Sequence, residues 1–208
     1  MRPKRTGTTI LPTEAGGELA GTKVVYPSGH PLAGQPMRMF HVTSRDIKVF
    51  DTSRFRSHFG NEAQSAQRAR EKLFLGGASL KLRTIPVYLN IRDPFRIHDL
   101  GNAWGSPHWW LEALAALEKK HINMVNKEYD EIFNRLRDKN NEEPVIRMLE
   151  ARGYDGVVYA NQYEGVNADN FDHSQPFTGE TSGDSYIPFY PHQIINAIIE
   201  CKRGFSAR

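Results

Sequence analysis

Four short stretches concentrate the residue types that bind ligands and move protons. In Phe40-His41-Val42-Thr43 a histidine leaves an alternating apolar segment for the polar turn Thr43-Ser44-Arg45-Asp46. Ser57-His58-Phe59-Gly60-Asn61 leads into a stretch rich in Gln and Arg. Gly153-Tyr154-Asp155-Gly156-Val157-Val158-Tyr159 is followed closely by Asn161 and by Glu164-Gly165. Last comes Gly183-Asp184-Ser185-Tyr186-Ile187-Pro188-Phe189-Tyr190-Pro191-His192-Gln193-Ile194. Each has an ordinary structural account when taken alone. A histidine at a strand end is commonly a structural hydrogen-bonder, and HFG is a tight turn with a packed ring. GYDGVVY is a helix stop, a turn and a buried strand, and SYIPFYP is an aromatic-rich core strand.

Other chemistries lack their patterns. Eight histidines and one cysteine do not fall into HExxH or CxxC spacing, so no zinc site is expected. There is no Walker loop, no GxGxxG after a strand and no GxSxG elbow, which removes a nucleotide-triphosphate loop, a Rossmann dinucleotide site and a hydrolase triad. Trp104 and the pair Trp109-Trp110 read as helix-packing anchors.

The elements that must hold these residues follow from periodicity. Residues 1–36 are rich in Gly, Pro and Thr. They bury too little apolar surface to offset their ordering entropy, and an extended or disordered arm is expected. Within it Val24-Val25-Tyr26 reads as a short strand or a peg docking on the domain. The folded body, 37–208, opens with the strand Met37–Val42. Asn61 to Lys72 reads as a helix with Asn61 as N-cap and Gly76-Gly77 as its stop. Thr84 to Ile91 is a strand that Asp93-Pro94 breaks. A helical insertion spans about 107–152, its third helix starting at Glu142-Glu143-Pro144 and stopping at Gly153. Strands follow at Gly156–Ala160, Ser185–Tyr190 and Ile194–Cys201, the last apolar enough to be central. The polar stretch from Asn161 to Gly183 is too long for an ordinary connection and reads as a functional loop. Strands, then helices, then strands make an α+β fold.

Composition sets the outer bounds. A chain of 208 residues, 39% hydrophobic and 25% charged, suits one folded domain. No stretch approaches the ~20 apolar residues that span a bilayer, and no apolar region follows the basic N-terminus, so neither a membrane segment nor a signal peptide is expected. Cys201, the sole cysteine, forms no intramolecular disulfide and points to a cytoplasm, of the producing or of a target cell. A net charge of +3 and a pI of about 9.0 permit contact with nucleic acid without requiring it.

In their order and spacing the motifs resemble those of the ADP-ribosyltransferase-like domains of bacterial, phage and polyvalent mobile-element proteins. The stretches that carry the resemblance are FHVTSRDIKVFD, HFGNEAQSAQRARE, IPVYLNIRDPF, RGYDGVVYANQYEG and GDSYIPFYPHQI, colinear over about residues 37–200. The resemblance implies a split, strongly bent mixed β-fold around a cleft for NAD, which serves as substrate; no metal is implied. Nicotinamide is lost, leaving an oxocarbenium-like ribosyl centre for an acceptor to attack. Such a reaction needs the dinucleotide held, the nicotinamide stacked and the developing charge stabilised.

On this resemblance His41 bonds a ribose hydroxyl, a task suited to a neutral imidazole with one donor and one acceptor nitrogen. The main chain of Val42 clamps the carboxamide, with Thr43 the nearby hydroxyl, although relatives usually have glycine at the Val42 position. His58 and Phe59 match the motif whose aromatic ring stacks on nicotinamide. Ser185 falls where relatives carry a catalytic glutamate, and serine supplies no charge. Glu164, Asp184 and Glu180 are the acids that stand in reach along the sequence. Gln193 is a substrate-side hydrogen-bonder or a cap on the last strand.

The implied activity is mono-ADP-ribosylation of a macromolecule, protein or RNA/DNA, by a toxin or a conflict effector with an antitoxin or immunity protein as partner. Two other readings stand beside it: an NAD glycohydrolase, and a catalytically dead fold binding nucleic acid or a partner protein through Arg68, Arg70, Lys72, Lys81 and Arg83.

Overall fold

The computed structural model describes residues 19–52, 55, 57–76, 80–97, 99, 110, 134, 142–161 and 183–196. In chain order the elements are β1 (Met39–Thr43), α1 (Glu62–Gly76), β2 (Arg83–Leu89), β3 (Pro94–Ile97), α2 (Glu143–Ala151), β4 (Gly156–Ala160), β5 (Asp184–Pro188), a 3-10 turn (Pro191–Gln193) and β6 (Ile194–Asn196).

The strands form two three-stranded sheets. One is antiparallel, in the order β1-β2-β6, and the other runs β3-β4-β5, with β3 parallel and β5 antiparallel to β4. The His-Phe-Gly segment joins them. Phe40 exchanges both main-chain hydrogen bonds with Gly60, and Phe59 exchanges both with Tyr186, all at 2.8–3.1 Å. This is the split mixed sheet of an α+β fold, with the joint only two residues wide.

Alternation along the strands sorts the core onto two faces. Val157 and Tyr159 of β4 and Ile187 of β5 pack with Phe95, Ile97 and the apolar face of α2 (Val145, Ile146, Met148, Leu149). Phe55 stacks on Trp110 in the same cluster, with ring centroids 4.3 Å apart. The intervening Val158 and Tyr186 point the other way, joining Met39, Phe59, Val87, Leu89 and Ile194 of the first sheet and its joint.

Helix α1 begins as expected at Asn61. Gln64 N donates to Asn61 Oδ1 at 3.0 Å and Asn61 N to Gln64 Oε1 at 2.7 Å, a reciprocal capping box. Helix α2 has Pro144 in its first turn and ends at Gly153, whose φ of 90° suits only glycine without strain.

The strand is broken ahead of Pro94 as expected, and Pro94 then opens β3, where a strand's first residue needs no donor. One expectation is corrected. The last strand is not central, since among the described strands β6 pairs with β2 alone. The stretch from Leu19 to Tyr26 is docked. Val24 is buried as the peg, Lys23 N donates to Ile91 O, and Thr22 Oγ1 donates to Leu89 O and Ile91 O just past β2. Residues 1–18, most of 107–141 and the stretch from 197 onward lie outside the described residues.

Candidate active site

The site is built on the edge of β1 that faces away from β2. Main-chain groups alternate along a strand, so Phe40 and Val42 present theirs on the same edge. Phe40 uses its pair on Gly60. Helix α1 lies along this edge, where Ser65 Oγ donates to Phe40 O at 3.3 Å and Lys72 Nζ donates to Val42 O at 2.6 Å. Ser65 and Lys72 are two turns apart on one helical face, whereas the sequence offered Lys72 only as one of the basic residues of a nucleic-acid-binding reading. The Val42 carbonyl, expected to clamp a carboxamide, is therefore occupied by an ammonium. Thr43 is buried at the end of the strand, and its Oγ1 accepts from Arg45 N.

His41 points to the core face shared by Phe59 and Phe50, with ring centroids 5.5 and 5.3 Å away. Its Nδ1 lies 2.9 Å from His58 O. A carbonyl only accepts, so Nδ1 carries the proton and Nε2 of the neutral ring keeps its lone pair. Burial pushes the His41 pKa below its ordinary value, and the nearby Lys72 adds to that push against the carbonyl's opposite effect. The imidazole is neutral at pH 7, in a single tautomer.

His58 is committed to the fold. Nε2–H donates to Phe55 O at 2.7 Å, so Nδ1 accepts from the Tyr159 hydroxyl at 2.9 Å. The residue keeps some surface, but burial of its ring pushes the pKa down to about 4. Phe59 is 0% exposed and cannot stack on a ligand without leaving the core. The aromatic group that sequence reasoning missed is Phe50. It is half-buried, meets both His41 and Phe59 edge-on, and lines an apolar pocket with Ile47, Lys48, Ile85, Val87 and Ile194. Its signal was the VFD run at the end of the first matched stretch.

The acids divide sharply. Ser185 is 1% exposed. Its Oγ donates to Gln64 Oε1 at 3.1 Å and accepts from Asn161 Nδ2 at 3.0 Å. Gln64 Nε2 reaches Gly183 O at 3.0 Å, and Asn161 N donates to the same carbonyl. Ser185 thus belongs to a buried knot holding both ends of the 161–183 segment against the start of α1. Asp184 lies on the opposite face of β5 and is held bidentately by Arg96, at 2.9 and 2.6 Å. Beside it, burial first and the Asp184 charge second push the Tyr186 hydroxyl up to about 12. Glu164 and Glu180 lie outside the described residues.

Gln193 takes the structural one of its two roles. Its Nε2 donates to Asn90 O, Asp155 O and Asp155 Oδ2 at 3.0–3.2 Å, and its Oε1 accepts from Tyr190 N. The reason is Asp155, the aspartate of GYDG, whose carboxylate accepts from Arg92 N and Asp93 N. It ties the turn before β3 to the turn before β4. Gln193 is therefore not free to bond a substrate.

Among the described residues no group of three or more His, Cys, Asp or Glu is placed to hold a metal, and no described helix is long and apolar enough to cross a membrane. The two sheets joined at the HFG segment match the split α+β fold that the colinear motifs implied. No curated protein and no solved structure matches the chain. The family model described as ADP-ribosyltransferase in polyvalent proteins matches residues 32–201, and the chain belongs to that family.

Proposed function

We propose that the chain is a mono-ADP-ribosyltransferase that binds NAD against β1 and transfers its ADP-ribose to a macromolecule. The observation that carries this reading is the tautomer of His41. With Nδ1–H engaged by His58 O, Nε2 is an acceptor held in place for a ribose hydroxyl, and burial keeps it unprotonated at neutral pH. Phe50 supplies the flat apolar wall for the nicotinamide ring that Phe59, enclosed, does not. The glycosidic C–N bond breaks with its electron pair leaving on nicotinamide. A nucleophile of the acceptor then bonds the ribosyl carbon and gives up its proton.

The oxocarbenium-like centre calls for a carboxylate. Ser185 carries no charge, and the Asp184 carboxylate is neutralised by Arg96. We assign the role to Glu164, with Glu180 next. Both belong to the segment whose described ends, Asn161 and Gly183, are held beside the start of α1. The protein acts in a cytoplasm, as a toxin or conflict effector restrained by an antitoxin or immunity protein, on a protein side chain or a nucleic acid.

The test is incubation of the pure protein with labelled NAD in a cell lysate, fractionated into protein, RNA and DNA, with nicotinamide assayed alongside. Label in one fraction, abolished by His41→Ala, is the expected result. Nicotinamide without label means a glycohydrolase, and neither signal means a binding module that retains only the fold.

A further inference from the structure

We infer that Lys72 is a built-in competitor for the nicotinamide carboxamide, so that NAD enters only as the Lys72 ammonium leaves the Val42 carbonyl. This rests on the transferase reading above and adds to it a residue that controls entry.

The geometry is specific. The Val42 carbonyl projects from the strand edge that β2 does not use, directly after His41. Lys72 Nζ meets it at 2.6 Å, a charge-assisted bond on a half-buried side chain and stronger than a neutral amide's. A primary carboxamide presents an N–H to the same acceptor that the ammonium now holds. A carbonyl accepts twice, but an ammonium seated at 2.6 Å crowds the approach of a second donor and is the more strongly bound. Charge works in the same direction, because the nicotinamide ring of NAD is cationic and a lysine ammonium on its carboxamide seat repels it. The rest of α1 does not need to move. Ser65 holds Phe40 O and the capping box holds the helix start, while the Lys72 stem is long enough to rotate away. Once displaced, the ammonium can meet the anionic diphosphate of the same molecule, which would turn a block into a contact.

The experiment is equilibrium binding of nicotinamide and of 3-acetylpyridine, which lacks the carboxamide N–H, to the wild type and to Lys72→Met. The expected result is that K72M binds nicotinamide roughly tenfold more tightly, the scale of one hydrogen bond to a charged donor, with 3-acetylpyridine gaining far less. Equal or weaker nicotinamide binding by K72M overturns the proposal while leaving the transferase reading intact. Absence of nicotinamide and NAD binding to both proteins overturns both. A second measurement stays decisive should K72M not fold: acylation of Lys72 in the wild type, read by peptide mass spectrometry. Faster acylation of Lys72 on adding nicotinamide supports displacement, and an unchanged rate overturns it.

Discussion

Ser185 Oγ and Gln64 Oε1 meet at 3.1 Å across 121 residues of sequence, joining β5 to the first turn of α1. The serine is an uncharged, enclosed connector. Ser185→Glu is therefore expected to destabilise the fold and not to restore a catalytic acid, because an unpaired carboxylate would replace a satisfied hydroxyl in a buried polar knot. A loss of about 3 kcal/mol or more is expected, against ~1–2 kcal/mol for Ser185→Ala. Urea denaturation of the two variants checks the order.

His41→Ala should cost about 1–3 kcal/mol, since it removes a part-buried ring and the donor to His58 O, yet leave the protein folded, and it should abolish ADP-ribose transfer. The pH profile of the wild type supplies a second reading. Since the folded pKa of His41 lies below its ordinary value, activity should be flat through neutrality and fall only on the acid side, as Nε2 takes up a proton. A profile rising as pH drops below 6.5 would remove His41 from the acceptor role.

Acid stability reports His58. Its pKa is about 4 in the fold against 6.5 for the ordinary group. The unfolded chain therefore binds the extra proton first, and stability falls as pH drops from 6.5 to 4. His58→Gln, which lacks this titration, should lose less stability than wild type over that window. Differential scanning calorimetry at pH 7, 5.5 and 4.5 makes the comparison, and parallel curves would show the ring to be less enclosed than described.

Asp184 and Glu164 are separable by mutation. The Arg96–Asp184 pair has side chains 59% and 30% exposed, and pairs of that kind contribute ~0–1 kcal/mol. Asp184→Asn should thus cost little stability and keep transfer within severalfold. Glu164→Gln should lower the rate by about 100-fold or more, the scale of a lost electrostatic contact to the transition state. Single-turnover rates with labelled NAD decide it, and the reverse order would move the acid to Asp184.

Asp155 is expected to be a stability residue. Its carboxylate accepts from two main-chain amides and from Gln193 Nε2, so Asp155→Ala should cost about 2–4 kcal/mol. Gln193→Ala should cost somewhat less, and the two losses should not add in a double-mutant cycle. Additive losses would mean that the hydrogen bonds linking them are not formed.

Much was legible along the chain because it depends on near neighbours. Asn61 and Gln64 are three residues apart, so their capping box is a local pattern, and Pro144 and Gly153 mark the limits of α2 for the same reason. The apolar run in GYDGVVY is β4 because both faces of that strand are buried. Five ordered motifs, and with them the family, are likewise a property of the sequence alone.

What only the tertiary structure decided is which of the chemically suggestive residues have partners. His58 meets Tyr159 across 101 residues, Gln193 meets Asn90 across 103, and Lys72 reaches Val42 across 30. A polar side chain is available for chemistry only when the fold has not already satisfied it. That satisfaction depends on packing between distant segments, which no local spacing records. The sequence by itself determined the family, through five ordered motifs that include the His41 stretch. The packing of the two sheets and α1 decided that Phe50 faces the pocket, that Phe59 and Ser185 are enclosed, and that an ammonium sits on the main-chain carbonyl after the histidine.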